Sequence, residues 1–303
     1  MAIGRSLVVA VLLVISSPSP VDEALRQRAF QVLRTALDRE QQWVKVHAAE
    51  ALLAAGDPQG VKPAFDRELA EKVNQRPYRI GIWRVLAQAA RNADAREPWV
   101  QNIVKAFLDA DGSDRLHAAE TLGKLGYKPN SDDRDDFELA ARTATGPLGA
   151  NARWVLANGG RDQDIARLLD LLGSDDAATR ASAAYALRFV PKLSPALWGR
   201  LFAAARKEPA APDADIVRAS LVGAAFVHAP VDQLKATFKA EVVKYARTGS
   251  ADAKIEACAA LATHGLDEDV PLLASLLDDG ATDVRIAAAS AILQIDRRPA
   301  RGR

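Results

Sequence analysis

A nine-residue segment recurs along the chain, and its spacing limits the folds available. It reads VKVHAAEAL at 44–52, DRLHAAETL at 114–122, TRASAAYAL at 179–187, AKIEACAAL at 253–261 and VRIAAASAI at 284–292. Weaker copies lie at 78–86, 148–156 and 217–225. Anchored on the second residue, the eight copies stand at Lys45, Arg79, Arg115, Gly149, Arg180, Arg218, Lys254 and Arg285, at intervals of 34, 36, 34, 31, 38, 36 and 31 residues. Periods of this length mark stacked supersecondary units. Apolar residues fall mostly one before the anchor and three, four and seven after it, on one side of a helix at 100° per residue. Glycine stands eleven residues after four anchors, at Gly56, Gly126, Gly160 and Gly265, where a helix end needs the left-handed conformation. Between the copies, 23–37, 61–73, 99–108, 137–143, 164–172, 195–207, 232–247 and 269–277 carry helical apolar spacing of their own.

Two helices per repeat and eight repeats predict an all-α fold, a solenoid of about eight helical pairs filling 21–298 as one domain. A lone pair cannot bury its apolar stripe, so each repeat is completed by its neighbours. Alanine, 61 of 303 residues, favours helix and lets helix backbones approach closely. The anchored segments resemble the HEAT repeat family, whose second helix carries Asp-x-x-Val-Arg-x-x-Ala-Ala-x-Ala-Leu, matched best by DVRIAAASAI at 283–292. The resemblance implies an α-α superhelix with the second helices on the concave side. Residues 43–52 and 78–84 are also similar to HEAT domains attached to bacterial sodium/solute symporters.

The other limits come from composition. Forty basic and 39 acidic residues give a net charge of +1, too little for a field that holds nucleic acid. One cysteine, Cys258, excludes an internal disulfide and any multi-thiolate metal site. Arg5, the apolar run at 7–15 and the Ser/Pro stretch at 16–20 fit a signal peptide over 1–20, too short to span a bilayer. An exported monomer, periplasmic or extracellular, is therefore expected, with no membrane span after cleavage and a disordered basic tail at 299–303; a cytoplasmic chain is the alternative. The acidic run 130–136 reads as a loop and helix start; it lacks the glycine and final glutamate of a calcium loop.

Positions two before and two, five and nine after the anchor should face solvent in the groove. They are Trp43, His47 and Glu50; Arg84 and Gln88; His117, Glu120 and Lys124; Asn151, Trp154 and Asn158; Ser182, Tyr185 and Phe189. The last three repeats offer blander sets: Ser220, Gly223 and Val227; Asp252, Glu256 and Thr263; Asp283, Ser290 and Gln294. A binding surface is thus expected in repeats 1–5, at Trp43, His47, Glu50, Arg84, His117, Glu120, Asn151, Trp154 and Tyr185, with exposed Trp43 and Trp154 as aromatic contacts. Glu50, Arg84 and Glu120 should form an acid-base-acid ladder worth at most about 1 kcal/mol per pair. The paired His47/Glu50 and His117/Glu120 also suggest a dinuclear metal site like that of deoxyhypusine hydroxylase, a HEAT-repeat enzyme. Here two alanines separate each His from its Glu, and two repeats separate the pairs by roughly 20 Å. His228 and His264 read as helix-end residues, and Cys258 as a buried small hydrophobe. No nucleophile elbow, P-loop, zinc-protease or dinucleotide fingerprint occurs. The expectation is a non-catalytic binding or scaffolding module for a protein or peptide, with carbohydrate possible and no cofactor implied. The alternative is a HEAT-repeat enzyme, a lyase or metal-dependent hydroxylase.

Overall fold

The computed structural model describes residues 21–208 and 215–298; the signal-peptide and tail segments inferred above lie outside them. Among the described residues there are sixteen α-helices and no strand. The outer helices are α1 Glu23–Arg39, α3 Val61–Lys72, α5 Ala93–Leu108, α7 Arg134–Thr143, α9 Asp162–Asp170, α11 Pro195–Lys207, α13 Asp232–Thr248 and α15 Val270–Leu276. The anchored segments form the inner ones: α2 Gln42–Ala54, α4 Tyr78–Gln88, α6 Arg115–Lys124, α8 Gly146–Ala157, α10 Ala177–Leu187, α12 Asp215–His228, α14 Ala251–His264 and α16 Thr282–Asp296. The eight helical pairs predicted from the repeat are present, with α5 starting six residues early because Asn92 caps it by accepting from the Ala95 N–H.

Small residues set the inner stack. Three and four residues after the anchor, Ala48, Ala49, Ala118, Ala119, Ala183, Ala184, Ala288 and Ala289 are all fully buried. The anchor cation performs a different task. Lys45 bonds Glu68 on α3 at 3.0 Å, Arg79 bonds Asp114 at the start of α6 at 2.6 Å, and Arg180 bonds Glu208 after α11 at 3.0 Å. Arg218 meets Glu241 on α13 at 2.6 Å, and Lys254 meets Asp279 before α16 at 2.7 Å. Each of these anchors therefore ties its own repeat to the next. Of the four punctuating glycines, Gly56, Gly126 and Gly160 adopt positive φ. Gly265 does not: it is extended, and its hydrogen atom in place of a methyl lets it approach the Leu261 carbonyl, which an added Cβ would meet at 2.5 Å.

The stack closes on itself. Each inner helix packs against the next from α2 to α16, and α16 packs against α2. Outer helix α1 lies between α16 and α2, as α5 lies between α4 and α6 and α13 between α12 and α14. The seam is bonded as well as packed. Arg26 on α1 donates to Asp296 on α16 at 2.7 Å, His47 on α2 meets Asp283 on α16 at 2.9 Å, and Arg297 donates to the Ala54 carbonyl at 2.6 Å, capping α2. Arg28 pairs with Asp278 nearby. One apolar cluster runs through this seam, from Leu33 and Leu37 to Ile292 and Ile295. The resemblance implied a concave side lined by the second helices; nothing in the sequence signalled that the two ends would meet.

In an open solenoid, removing the last helix trims one interface; in a ring it uncovers two. A chain ending at Asp279 should lose far more than one eighth of the stability, with a broadened thermal transition and exposed apolar surface that binds a hydrophobic dye. Calorimetry and dye fluorescence against the full chain provide the check.

Candidate functional site

Closure turns the concave side into a lumen of about 770 Å³ lined by all eight inner helices. His47 and Glu50 come from α2, Gln88 from α4, Glu120 and Lys124 from α6, Asn151 from α8, and Ser182 and Tyr185 from α10, with Arg188 and Phe189 just beyond its end. The far wall consists of Ser220 on α12, Asp252 and Glu256 on α14, and Asp283, Ser290 and Gln294 on α16. Those repeats were read from sequence as bland. They contribute six of the fifteen polar lining residues, because a closed stack gives every inner helix a lumen face.

Five of the nine candidate residues reach the lumen: His47, Glu50, Glu120, Asn151 and Tyr185. The other four stand behind it. Trp154 is not exposed, as its position predicted, but fully buried. The reason lies on the neighbouring helix, where Gly123 leaves the space the indole fills; a Cβ there would come within 2.4 Å of the ring. Tyr185 and Phe189 then cover Trp154, one edge-on at 5.7 Å and one stacked at 5.2 Å between centroids. Arg84 is also buried rather than solvent-facing, at 1% exposure. Trp43 is half-buried and lies across α4 at Gly81, whose added Cβ would meet it at 3.0 Å, to stack on His117 of α6 at 4.7 Å. Two glycines on inner helices thus decide where both tryptophans go.

Most of the lumen charges are paired into a fixed network. Arg84 donates to Glu50 at 2.7 Å and to the Thr121 hydroxyl at 3.3 Å, and Gln88 donates to the other Glu50 oxygen at 3.0 Å. The predicted ladder is therefore half direct: Arg84 binds Glu50, while Glu120 takes Lys124 at 2.8 Å. Burial alone would raise the Glu120 carboxyl, but Lys124 and Arg84 outweigh it and hold it at about 2. For Glu50 too, burial raises the carboxyl, and Arg84, Lys124 and His47 together bring it below its ordinary range. Burial pushes the His117 imidazole below its ordinary value, and the ring stacks on Trp43.

A second centre, missed from sequence, sits on the opposite side. Arg188, 6% exposed, donates to Glu256 at 2.8 Å, and Ser220 donates to the same carboxylate oxygen at 3.2 Å. The guanidinium lies 5.0 Å from the Tyr185 centroid and 4.8 Å from that of Phe189, while Lys124 approaches Tyr185 from α6 at 5.5 Å. Phe189 keeps 46% of its surface exposed. Arg188 falls eight residues after its anchor, outside the positions assigned to the groove, so only the arrival of α14 opposite it reveals its role. Asp252 faces the lumen exposed.

A second depression of about 850 Å³ adjoins the lumen, sharing Glu50, Ala54 and Gln88 and running over the ring's edge past Asn92, Tyr127 and Lys128. Among the described residues no group of three or more His, Cys, Asp or Glu is placed to hold a metal ion. His47 is engaged by Asp283, His117 by Trp43, and Cys258 is buried with its thiol pushed up to about 12 by desolvation. No helix among the described residues is long and apolar enough to cross a membrane.

No family model matches the chain, and no curated protein matches it. Among solved structures, an engineered protein aligns over 88% of this chain and 78% of its own length, at 19% identity and a TM-score of 0.32.

The depressed Glu120 carboxyl links the site to stability. Its folded value of about 2 lies below the ordinary 4.5, so its contribution is complete above about pH 4.5 and is lost as pH falls toward 2. Glu120→Gln should flatten the acid limb of a stability-against-pH curve in that window. Denaturant midpoints measured from pH 2 to 6 test this, and an unchanged limb would remove Glu120 from the network.

Proposed function

We propose that the chain is a HEAT-like, non-catalytic binding or scaffolding module whose lumen holds an extended segment of a partner protein or peptide. The observation that carries this reading is the continuity of the lumen with the edge depression through Glu50, Ala54 and Gln88. A compact sugar needs one pocket of a few hundred Å³; a chain that enters a ring and leaves over its rim needs a trough. The walls suit a peptide. Exposed Phe189 and half-buried Tyr185 offer aromatic faces, Leu116, Ile216 and Ile255 offer apolar contact, and Asn151, Ser182, Ser290 and Gln294 can bond a backbone. Their support is rigid, because the lumen's ion pairs hold the side chains before any partner arrives. Preorganisation of that kind lowers the entropic cost of binding.

The enzyme alternative rests on the two His/Glu pairs, and their present engagements favour a structural role for them. Export through the N-terminal segment remains part of the proposal, supported by Arg5, the apolar run at 7–15 and the Ser/Pro stretch at 16–20.

The test pairs Tyr185→Ala with Phe189→Ala, leaving the buried Trp154 in place. The wild-type protein, panned against a displayed random peptide library and printed on a glycan array, should enrich related peptide sequences. The double variant should lose at least tenfold in affinity for them while keeping its circular dichroism and far-wall ion pairs. Enrichment of glycans alone, or peptide binding indifferent to both substitutions, would contradict the reading.

A further inference from the structure

The fourth repeat breaks the packing rule that the others keep. Four residues after the anchor the other inner helices carry Ala49, Trp83, Ala119, Ala184, Val222, Ala289 or Cys258, every one of them buried. The fourth repeat carries Arg153. A guanidinium at a packing position costs desolvation unless something compensates it, and the compensation found within the chain is small. Arg153 donates to the Gly149 carbonyl at 2.9 Å, one turn back on its own helix. Burial, with the Arg167 guanidinium adding to it, lowers the Arg153 pKa from its ordinary value, and Asp170 opposes this.

Arg153 points into a separate cavity of about 350 Å³ among α7, α8 and α9, lined also by Arg142, Arg167, Glu138, Asp164 and Asp170. Three arginines and three carboxylates would balance, but the carboxylates are already engaged from outside the cavity. Arg134 bonds Glu138 at 2.9 Å and Asp164 at 3.1 Å. Arg161 bonds Asp164 at 2.7 Å and stands 3.6 Å from Glu138. Arg200 bonds Asp170 at 2.5 Å. The lining arginines are left with distant contacts, Arg142 to Glu138 and Arg167 to Asp164, each at 3.9 Å. Arg142, Arg153 and Arg167 are thus the lining groups left without a close carboxylate partner.

We propose that this cavity is a binding site for a phosphoryl group, with Arg142, Arg153 and Arg167 as its ligands. A single carboxylate would engage one of these guanidiniums; a phosphate dianion, with its several acceptor oxygens, can bridge two or three of them. The phosphoryl group can arrive as the free ion or on an organic phosphomonoester, whose tail Leu171 would flank.

Titration calorimetry of the full chain at fixed ionic strength, with inorganic phosphate and with phenyl phosphate, tests the site. Saturable binding is expected for at least one of them, and whichever binds more tightly identifies the source. Arg153→Gln should weaken binding at least tenfold. Arg167→Gln, at a more exposed position, should weaken it severalfold and serves if Arg153→Gln proves unstable. Asp170→Asn removes an opposing charge and should tighten binding severalfold, a sign that general loss of structure would not produce. Absence of saturation by both anions at millimolar concentration overturns the proposal, as do arginine variants that bind like the wild type.

Discussion

The seating of α1 between α16 and α2 is the contact on which the rest of the structure depends. Repeat proteins normally leave two terminal faces that need polar caps. Here the two faces cover one another, and the apolar surface that would otherwise need caps becomes part of the continuous cluster through Leu33, Leu37, Ile292 and Ile295. The Arg26–Asp296 and His47–Asp283 contacts fix the register of that seam. Without closure there would be no lumen, and the side chains of α12, α14 and α16 would face open solvent instead of Glu50, Lys124 and Tyr185.

Closure also accounts for the electrostatics. Eight inner helices around one small space bring acids and bases from distant repeats together, as with Arg188 and Glu256, 68 residues apart. Buried ion pairs seldom add much net stability, but removing one partner leaves a costly lone charge. The network therefore acts chiefly to hold side chains in place. That is the property expected of a binding surface, and it explains how so alanine-rich a wall can present a few bulky and polar groups in fixed positions.

The architecture was legible because it is written in short-range periodicity: the anchors, the alanine pairs and the glycines at Gly56, Gly126 and Gly160 all report local helix geometry. The candidate site was legible only in part. His47, Glu50, Glu120, Asn151 and Tyr185 point where a helical wheel puts them. Trp154 and Arg84 do not, since Gly123 makes room for the indole on another helix and the Trp43–His117 stack lies beside the guanidinium. A wheel drawn on one helix holds no information about a missing Cβ on the next. Arg188, Glu256 and Asp283 were undervalued for the same reason, because their partners stand on other helices: Arg188 and Glu256 meet between α10 and α14, and Asp283 meets His47 only when the ring closes. Arg153 was passed over in the sequence although it stands at a packing position, and its meaning emerged once the surrounding carboxylates were seen to be engaged elsewhere.

Ring closure is tested most directly by a distance across the seam. Spin labels at Arg28→Cys on α1 and Asp278→Cys beside α15, with the buried Cys258 left unlabelled, can be measured by electron paramagnetic resonance. Neighbouring helices lie about 10 Å apart, so the closed ring predicts a narrow distribution short of about 20 Å. A broad distribution centred at several tens of ångströms, the separation of the ends of an eight-layer arc, would contradict closure and the lumen with it.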